Sequence, residues 1–297
     1  MHFRHILISG ISALALALVF SGNQQVAAAD KPELQVVASV DFYGEAAQAV
    51  LGQYGHVQTI IDQPNIDPHD YTPTTKVGKQ VAHADVVIYN GAGYDTWMTK
   101  LLKNKSKQTQ KVAVAKLVGV KAGQNEHVWY KPQTMPKLAN TLAKRFGQLD
   151  AAHQSQYRQN AKAYIASLKP LLKVIKQVKA QADHQSVAVS EPVFDHALRH
   201  LGYRVSNAHF ARAIEAGSDP SPADVRQLDA AIKHRKLVFF VQNTQVHSPI
   251  VTEIVKRCRQ AKVPVLAVTE TMPKGQDYRQ WMMTQYQALA KIQAAKR

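Results

Sequence analysis

Cysteine is nearly absent: Cys258 is the single one in 297 residues. No intrachain disulfide can form, and in Val255-Lys256-Arg257-Cys258-Arg259 a helix would turn this one small apolar side chain inward. Long apolar runs are scarce too. Ile6 to Phe20 is the longest, and a membrane-spanning helix needs about 20 such residues. Acidic residues are in deficit, 21 Asp and Glu against 37 Lys and Arg, for a net charge of +16. The lysines are spread along the chain without interleaved aromatics, which argues against a nucleic-acid surface. Attraction to anionic wall polymers or lipid head groups accounts better for the charge. Short repeats and low-complexity tracts are also missing.

The amino terminus is organised. Arg4 and two histidines precede the apolar run, and Ala27-Ala28-Ala29 stands just before Asp30. A basic start, a short apolar core and an A-x-A site describe a secretory signal peptide, so residues 1–29 are expected to be removed and the mature protein to act at the cell surface or in a periplasm. Strand and helix signals then alternate. Strands are expected at Leu34–Val40, Val57–Ile61, Asp85–Asn90 and Val112–Ala115, with helices at Phe42–Tyr54, from Pro73 behind a Thr72 cap to His83, and at Tyr94–Leu102. From Thr134 to about Ala182 only helix is expected, broken near Gly147–Asp150, with Pro170 kinking it or opening a second segment. Alternation resumes with strands at Ser186–Val189, Tyr203–Ser206, Leu237–Val241 and Val263–Val268. Their helices run from Pro192 to Leu201, from Ser221, from Pro249 to Ala261 and from about Asp277. This order predicts an α/β protein of two lobes, each a parallel sheet with helices on both faces, joined by a long rigid helix. The expected divisions are an amino-terminal metal-binding lobe at residues 30–133, a helical region at 134–182 and a carboxyl-terminal metal-binding lobe at 183–297.

Ligands of open parallel sheets bind beyond the carboxyl ends of the strands, so metal-capable residues in those loops matter most. The first lobe offers His69, in PNIDPHDYTP, and His127, in NEHVWY; the second offers Glu191 after Ser186–Ser190 and Glu270 after Val263–Thr269. Two imidazoles and two carboxylates suit a first-row divalent cation, zinc or manganese. The chain carries 13 histidines, so loop position alone does not separate a ligand from a solvated side chain. His196 and His200, four apart on one helix, are expected on an exposed face. Asn90-Gly91-Ala92-Gly93 is expected to be a tight turn, since the third glycine of a dinucleotide loop is replaced by Thr96.

DPHDYTPT, NEHVWY, SEPVFD and VPVLAVTET, in this order, resemble the motifs of the zinc/manganese solute-binding proteins of ABC importers, the cluster A-I group that includes adhesin-type metal-binding lipoproteins. The resemblance covers essentially the whole mature chain. It implies His69, His127, Glu191 and Glu270 as ligands of a transported Zn2+ or Mn2+, with Asp67 and Asp70 supporting the loop and Trp129 shielding the site. It also implies a non-enzymatic monomer that delivers metal to permease and ATPase subunits, with no nucleic-acid partner. Glu270 departs from the aspartate frequent in relatives. Ser21 stands where a lipobox cysteine would carry lipid, and no His-rich loop precedes the second histidine motif, which leaves the choice of metal open. Two other classes remain, an exported metallohydrolase and a surface adhesin with a structural metal.

Overall fold

A computed structural model of the chain describes residues 1–2 and 33–295, so nearly all of the expected signal peptide lies outside the described residues. From Glu33 onward the chain clusters into one compact unit. Its first part runs β1 (Leu34–Val40), α1 (Asp41–Leu51), β2 (Gly55–Ile61), α2 (Thr75–His83), β3 (Val86–Tyr89), α3 (Thr96–Leu101), β4 (Gln110–Ala113) and a single turn, α4 (Val114–Leu117). The strands form one parallel sheet of order β2-β1-β3-β4. β1 and β3 are buried almost throughout, as expected of strands covered on both faces. α2 begins two residues later than expected, and the Thr74 hydroxyl, rather than that of Thr72, caps it by accepting from the Val77 amide. Both threonines are competent caps, so the local sequence does not choose between them.

The helical passage comprises α5 (Thr134–Leu149), α6 (Gln154–Ser167) and α7 (Lys169–Ala180). The connection is therefore segmented. Pro170 lies in the first turn of α7, where its missing N–H costs nothing. Just before it, the Leu168 amide turns to the Ile165 carbonyl three residues back. Asp150 does not cap with its side chain; its carboxylate instead accepts from the Tyr157 hydroxyl at 2.7 Å.

The second part repeats the first in topology. β5 (Ser186–Val189), α8 (Asp195–Leu201), β6 (Arg204–Val205), α9 (Ala208–Glu215), α10 (Pro222–Lys233), β7 (Phe240–Asn243), α11 (Pro249–Gln260), β8 (Val265–Val268) and α12 (Tyr278–Ala294) build a parallel sheet of order β6-β5-β7-β8. β6 is short because the Asn207 side chain takes over the ladder, accepting from the Val189 amide and donating to its carbonyl. β7 lies later than its apolar run suggested and carries Asn243 at its end. α9 has no counterpart among the expected elements, although Phe210, Ala211 and Ile214 line its buried face. α12 opens with the expected Asp277, in a capping box with Gln280.

One core crosses both sheets. It runs from Val36 and Phe42 through Trp129 and Tyr130 to Phe194, Trp281 and Tyr286. A smaller cluster, with Phe210, Phe240, Ile254 and Cys258, lies within the second part. Phe42 meets Trp129 at 5.1 Å and Trp281 at 5.4 Å between ring centroids, and Tyr130 meets Phe194 edge-on at 4.9 Å.

Gly55 pairs with Leu34 at the start of the β1–β2 ladder, and a Cβ there would lie 2.2 Å from the Leu34 carbonyl oxygen. Backbone cannot rotate away as a side chain can. Gly55→Ala is expected to destabilise the protein by about 1–3 kcal/mol, read as a lower urea midpoint. An unchanged midpoint would show that the ladder can shift to admit the methyl group.

Candidate metal centre

The expected ligands come from loops at the carboxyl ends of both sheets. After β2 the chain runs out to His69, and several contacts fix that loop. The Asp67 carboxylate accepts from the His69 amide at 2.8 Å, and the Trp97 indole of α3 donates to the Pro68 carbonyl at 3.1 Å. The Tyr94 ring meets the His69 imidazole edge-on at 5.0 Å. Asp67 is thus a loop support, while Asp70 is exposed. The His69 side chain keeps 31% of its exposure, whereas that of His127 keeps 1%.

His127 enters from the loop after α4. The Asn125 side-chain oxygen accepts from the His127 amide at 3.0 Å and lies 3.2 Å from its Nδ1. An amide oxygen can only accept, so Nδ1 carries the proton and Nε2 keeps its lone pair. That Nε2 faces Glu270 Oε1 at 3.8 Å, and His69 Nε2 faces the same oxygen at 3.8 Å. The ligand atoms of His69, His127 and Glu270 all lie within 4.8 Å of one another. Glu270 Oε1 is buried and meets no donor at hydrogen-bonding geometry among the described residues, although the Tyr94 hydroxyl is near enough to help hold its carboxyl down. A buried carboxylate oxygen without a donor is costly, and a cation between it and the two imidazoles would satisfy it.

Glu191 is placed differently. It is buried, directly after β5, but its Oε2 accepts from the Asn243 side chain at 2.8 Å and it is not in that cluster. The structure adds two carboxylates that the sequence reading did not select. Glu126 Oε1 lies 3.7 Å from His69 Nε2, and Glu215, at the end of α9, brings Oε1 to 3.9 Å from His127 Nδ1. Glu126, His127 and Glu215 form a second overlapping group of ligand-capable atoms. Glu126 was legible as a neighbour of His127. Glu215 became findable only through the amphipathic spacing of α9, which puts Phe210, Ala211 and Ile214 on the core.

Burial dominates the electrostatics. It raises Glu191 and Glu270 to about 7, opposed by the Asn243 hydrogen bond and helped by Glu270 in the case of Glu191, and opposed by His69 in the case of Glu270. Glu215 is pushed up to about 8 by burial and then by Glu126, Glu191 and Glu270. His127 is lowered to about 4 because its buried ring resists charging. A neutral His127 imidazole beside carboxyl groups that resist ionisation forms a site that a divalent cation would stabilise.

Two further expectations are resolved here. His196 is buried, not on an exposed face: its Nε2 donates to the Asn125 carbonyl at 2.8 Å, while His200 is exposed. An inward turn of α8 was available because Ala197 and Leu198 flank it in the core. Asn90–Gly93 is a tight turn, with the Asp95 carboxylate accepting from the Asn90 and Gly91 amides at 2.7 and 2.8 Å. The Trp129 indole packs 5.2 Å from the His127 ring, fully buried.

Comparison with known proteins identifies the family of the chain. The metal ABC transporter substrate-binding lipoprotein SsaB of Streptococcus sanguinis is 27% identical over 257 residues, covering 80% of this chain and 82% of its own. The manganese ABC transporter substrate-binding lipoprotein PsaA of Streptococcus pneumoniae is 25% identical over 283 residues, covering 88% of each. The solved structure of FpvC from Pseudomonas aeruginosa in complex with Mn2+ is 21% identical, with a TM-score of 0.72 over 89% of this chain and 100% of that one. Residues 36–292 match the family described as the periplasmic component A of the zinc-uptake complex, ZnuA, and the chain belongs to that family.

Proposed function

We propose that this protein captures Zn2+ or Mn2+ outside the cytoplasmic membrane and delivers it to the permease and ATPase subunits of an ABC importer. The observation that carries the reading is the orphaned Glu270 oxygen facing two imidazole nitrogens. His69, His127 and Glu270 bind the cation directly. Glu191 supplies the fourth ligand through its second oxygen while Asn243 holds the first. Glu126 adds a carboxylate beside His69 in a chain whose net charge is +16. The amino-terminal lobe spans residues 30–133, the helical region 134–182 and the carboxyl-terminal lobe 183–297.

The protein acts as an exported monomer without nucleic acid and without catalysis of its own. With four side chains committed to the metal, the open position for water that catalytic zinc requires is missing. Assays of ester, peptide and phosphate hydrolysis in zinc should give no turnover. Turnover lost in Glu270→Ala would establish a hydrolase instead.

Calorimetric titration should give one equivalent of metal, with zinc bound more tightly than manganese by the Irving–Williams order. His69→Ala and His127→Ala should each cost at least roughly a hundredfold, since loss of a supporting residue alone costs 10–100-fold. Unchanged affinity in both variants would overturn the proposal.

A pH series gives an independent reading in chelator-treated protein. Raised carboxyl values mean that the folded state holds more protons than the unfolded one from about pH 4.5 up to about 7–8. Their contribution to stability is thus greatest at low pH and is lost as pH rises through that window. His127, lowered to about 4, works in the opposite sense below about 6.5. The metal-free melting temperature should therefore rise between pH 8 and 6.5, by roughly 2–4 °C per kcal/mol. The additional stabilisation by metal should shrink over the same interval, because ligands must release protons to bind. A metal-free protein that melts lower at pH 6.5 than at pH 8 would contradict this assignment of burial.

A further inference from the structure

The loop after β7 carries a side chain that touches both the His69 loop and the Glu270 loop. Gln245 Oε1 accepts from the Glu270 amide at 2.7 Å and from the Thr271 amide at 3.0 Å. Its Nε2 donates to the Pro64 carbonyl at 2.8 Å and to the Thr271 hydroxyl, which itself donates to the Pro64 carbonyl at 2.8 Å. All four hydrogen-bonding positions of the amide are thereby used. A flipped amide would set two donors against two backbone N–H groups, so the orientation is fixed.

The two ends of this strap differ in kind. The Oε1 end stays within the second lobe and holds the backbone of a candidate ligand. The Nε2 end crosses to the first lobe, five residues before His69. Other hydrogen bonds cross between the lobes, but those of Tyr130 to the Thr269 carbonyl and of Tyr278 to the Trp129 carbonyl come from buried rings, and that of Asn125 ends on the carbonyl of the buried Pro192. Gln245 and Pro64 are only half-buried, so water can replace their bond. His69 is also the more exposed of the two imidazoles, so a cation reaches the site most directly past the loop that this strap holds.

We infer that the Gln245–Thr271–Pro64 strap is the part of the cleft that opens for metal passage and sets the rate of exchange. The aromatic bonds between the lobes remain made while the strap breaks and re-forms. This inference rests on the metal-capture reading above, because exchange presupposes a bound metal.

The test uses the mature protein, zinc and a chromogenic chelator in stopped flow. Thr271→Val keeps the shape and removes the hydroxyl that bonds Pro64. Gln245→Glu keeps the acceptor for Glu270 and Thr271 but turns an oxygen toward the Pro64 carbonyl. Association and dissociation should both accelerate in each variant, about tenfold, the rate equivalent of one net hydrogen bond. The dissociation constant of Thr271→Val should move less than about threefold, because a gate changes the barrier to both directions, whereas Gln245→Glu also adds charge beside the site and is judged on its rates. Unchanged rates, or faster dissociation alone with affinity lost in proportion, would overturn the inference and leave Gln245 as a local support of Glu270. Should Gln245→Glu fail to fold, Thr271→Val decides alone. Failure of the wild type to bind zinc would instead refute metal capture itself, which separates the two.

Discussion

The aromatic seam beneath the cleft is the constraint on which the site depends. Phe42, Trp129, Tyr130, Phe194 and Trp281 are all buried to within 1% and pass from one sheet to the other in a chain of ring contacts. Aromatic pairs at these separations contribute about 0.5–1.5 kcal/mol each beyond area burial. Two of these residues, Trp129 and Tyr130, stand two and three places after His127 in NEHVWY. The segment that presents an imidazole therefore also anchors the two lobes to each other. A rigid joint follows from this seam more than from the helical passage, which is segmented at Leu168.

Fixing the lobes has an electrostatic consequence. Carboxylates from both lobes converge on imidazoles with little freedom to move apart, and burial removes the water that would solvate them. The groups of the site thus resist charging, burial raising the carboxyl groups of Glu191, Glu215 and Glu270 and lowering the imidazole of His127. A rigid scaffold keeps this arrangement ready for a cation, so capture needs little reorganisation.

Neutral amides organise the surroundings of the charged groups. Asn125 sets the His127 tautomer and donates to the Pro192 carbonyl beside Glu191 at 2.6 Å. Asn243 holds Glu191, and Gln245 holds the backbone of Glu270. Each loop of one lobe that carries a proposed ligand is clasped to such a loop of the other: His127 with Glu191 through Asn125, and His69 with Glu270 through Gln245. Amides suit this task because they donate and accept without adding charge to a site already crowded with it.

Much of this was legible in the chain itself. Alternating apolar strands and capped helices determine two parallel sheets, since each strand must be covered on both faces. Strand ends then single out His69, His127, Glu191 and Glu270, because a parallel sheet directs its loops to one edge. What the sequence could not decide is which of these atoms meet. Glu191 turns to Asn243 while Glu270 meets both imidazoles, and that choice rests on a hydrogen bond spanning 52 residues and on carboxyl–imidazole contacts spanning longer separations. Glu215 reaches His127 only because Asn207 pins the start of α9 to β5. The inward turn of His196 and the strap at Gln245 depend likewise on partners in the other lobe. Local periodicity determines the elements and their buried faces; pairings across the cleft are settled by packing of the whole chain, where no spacing rule applies.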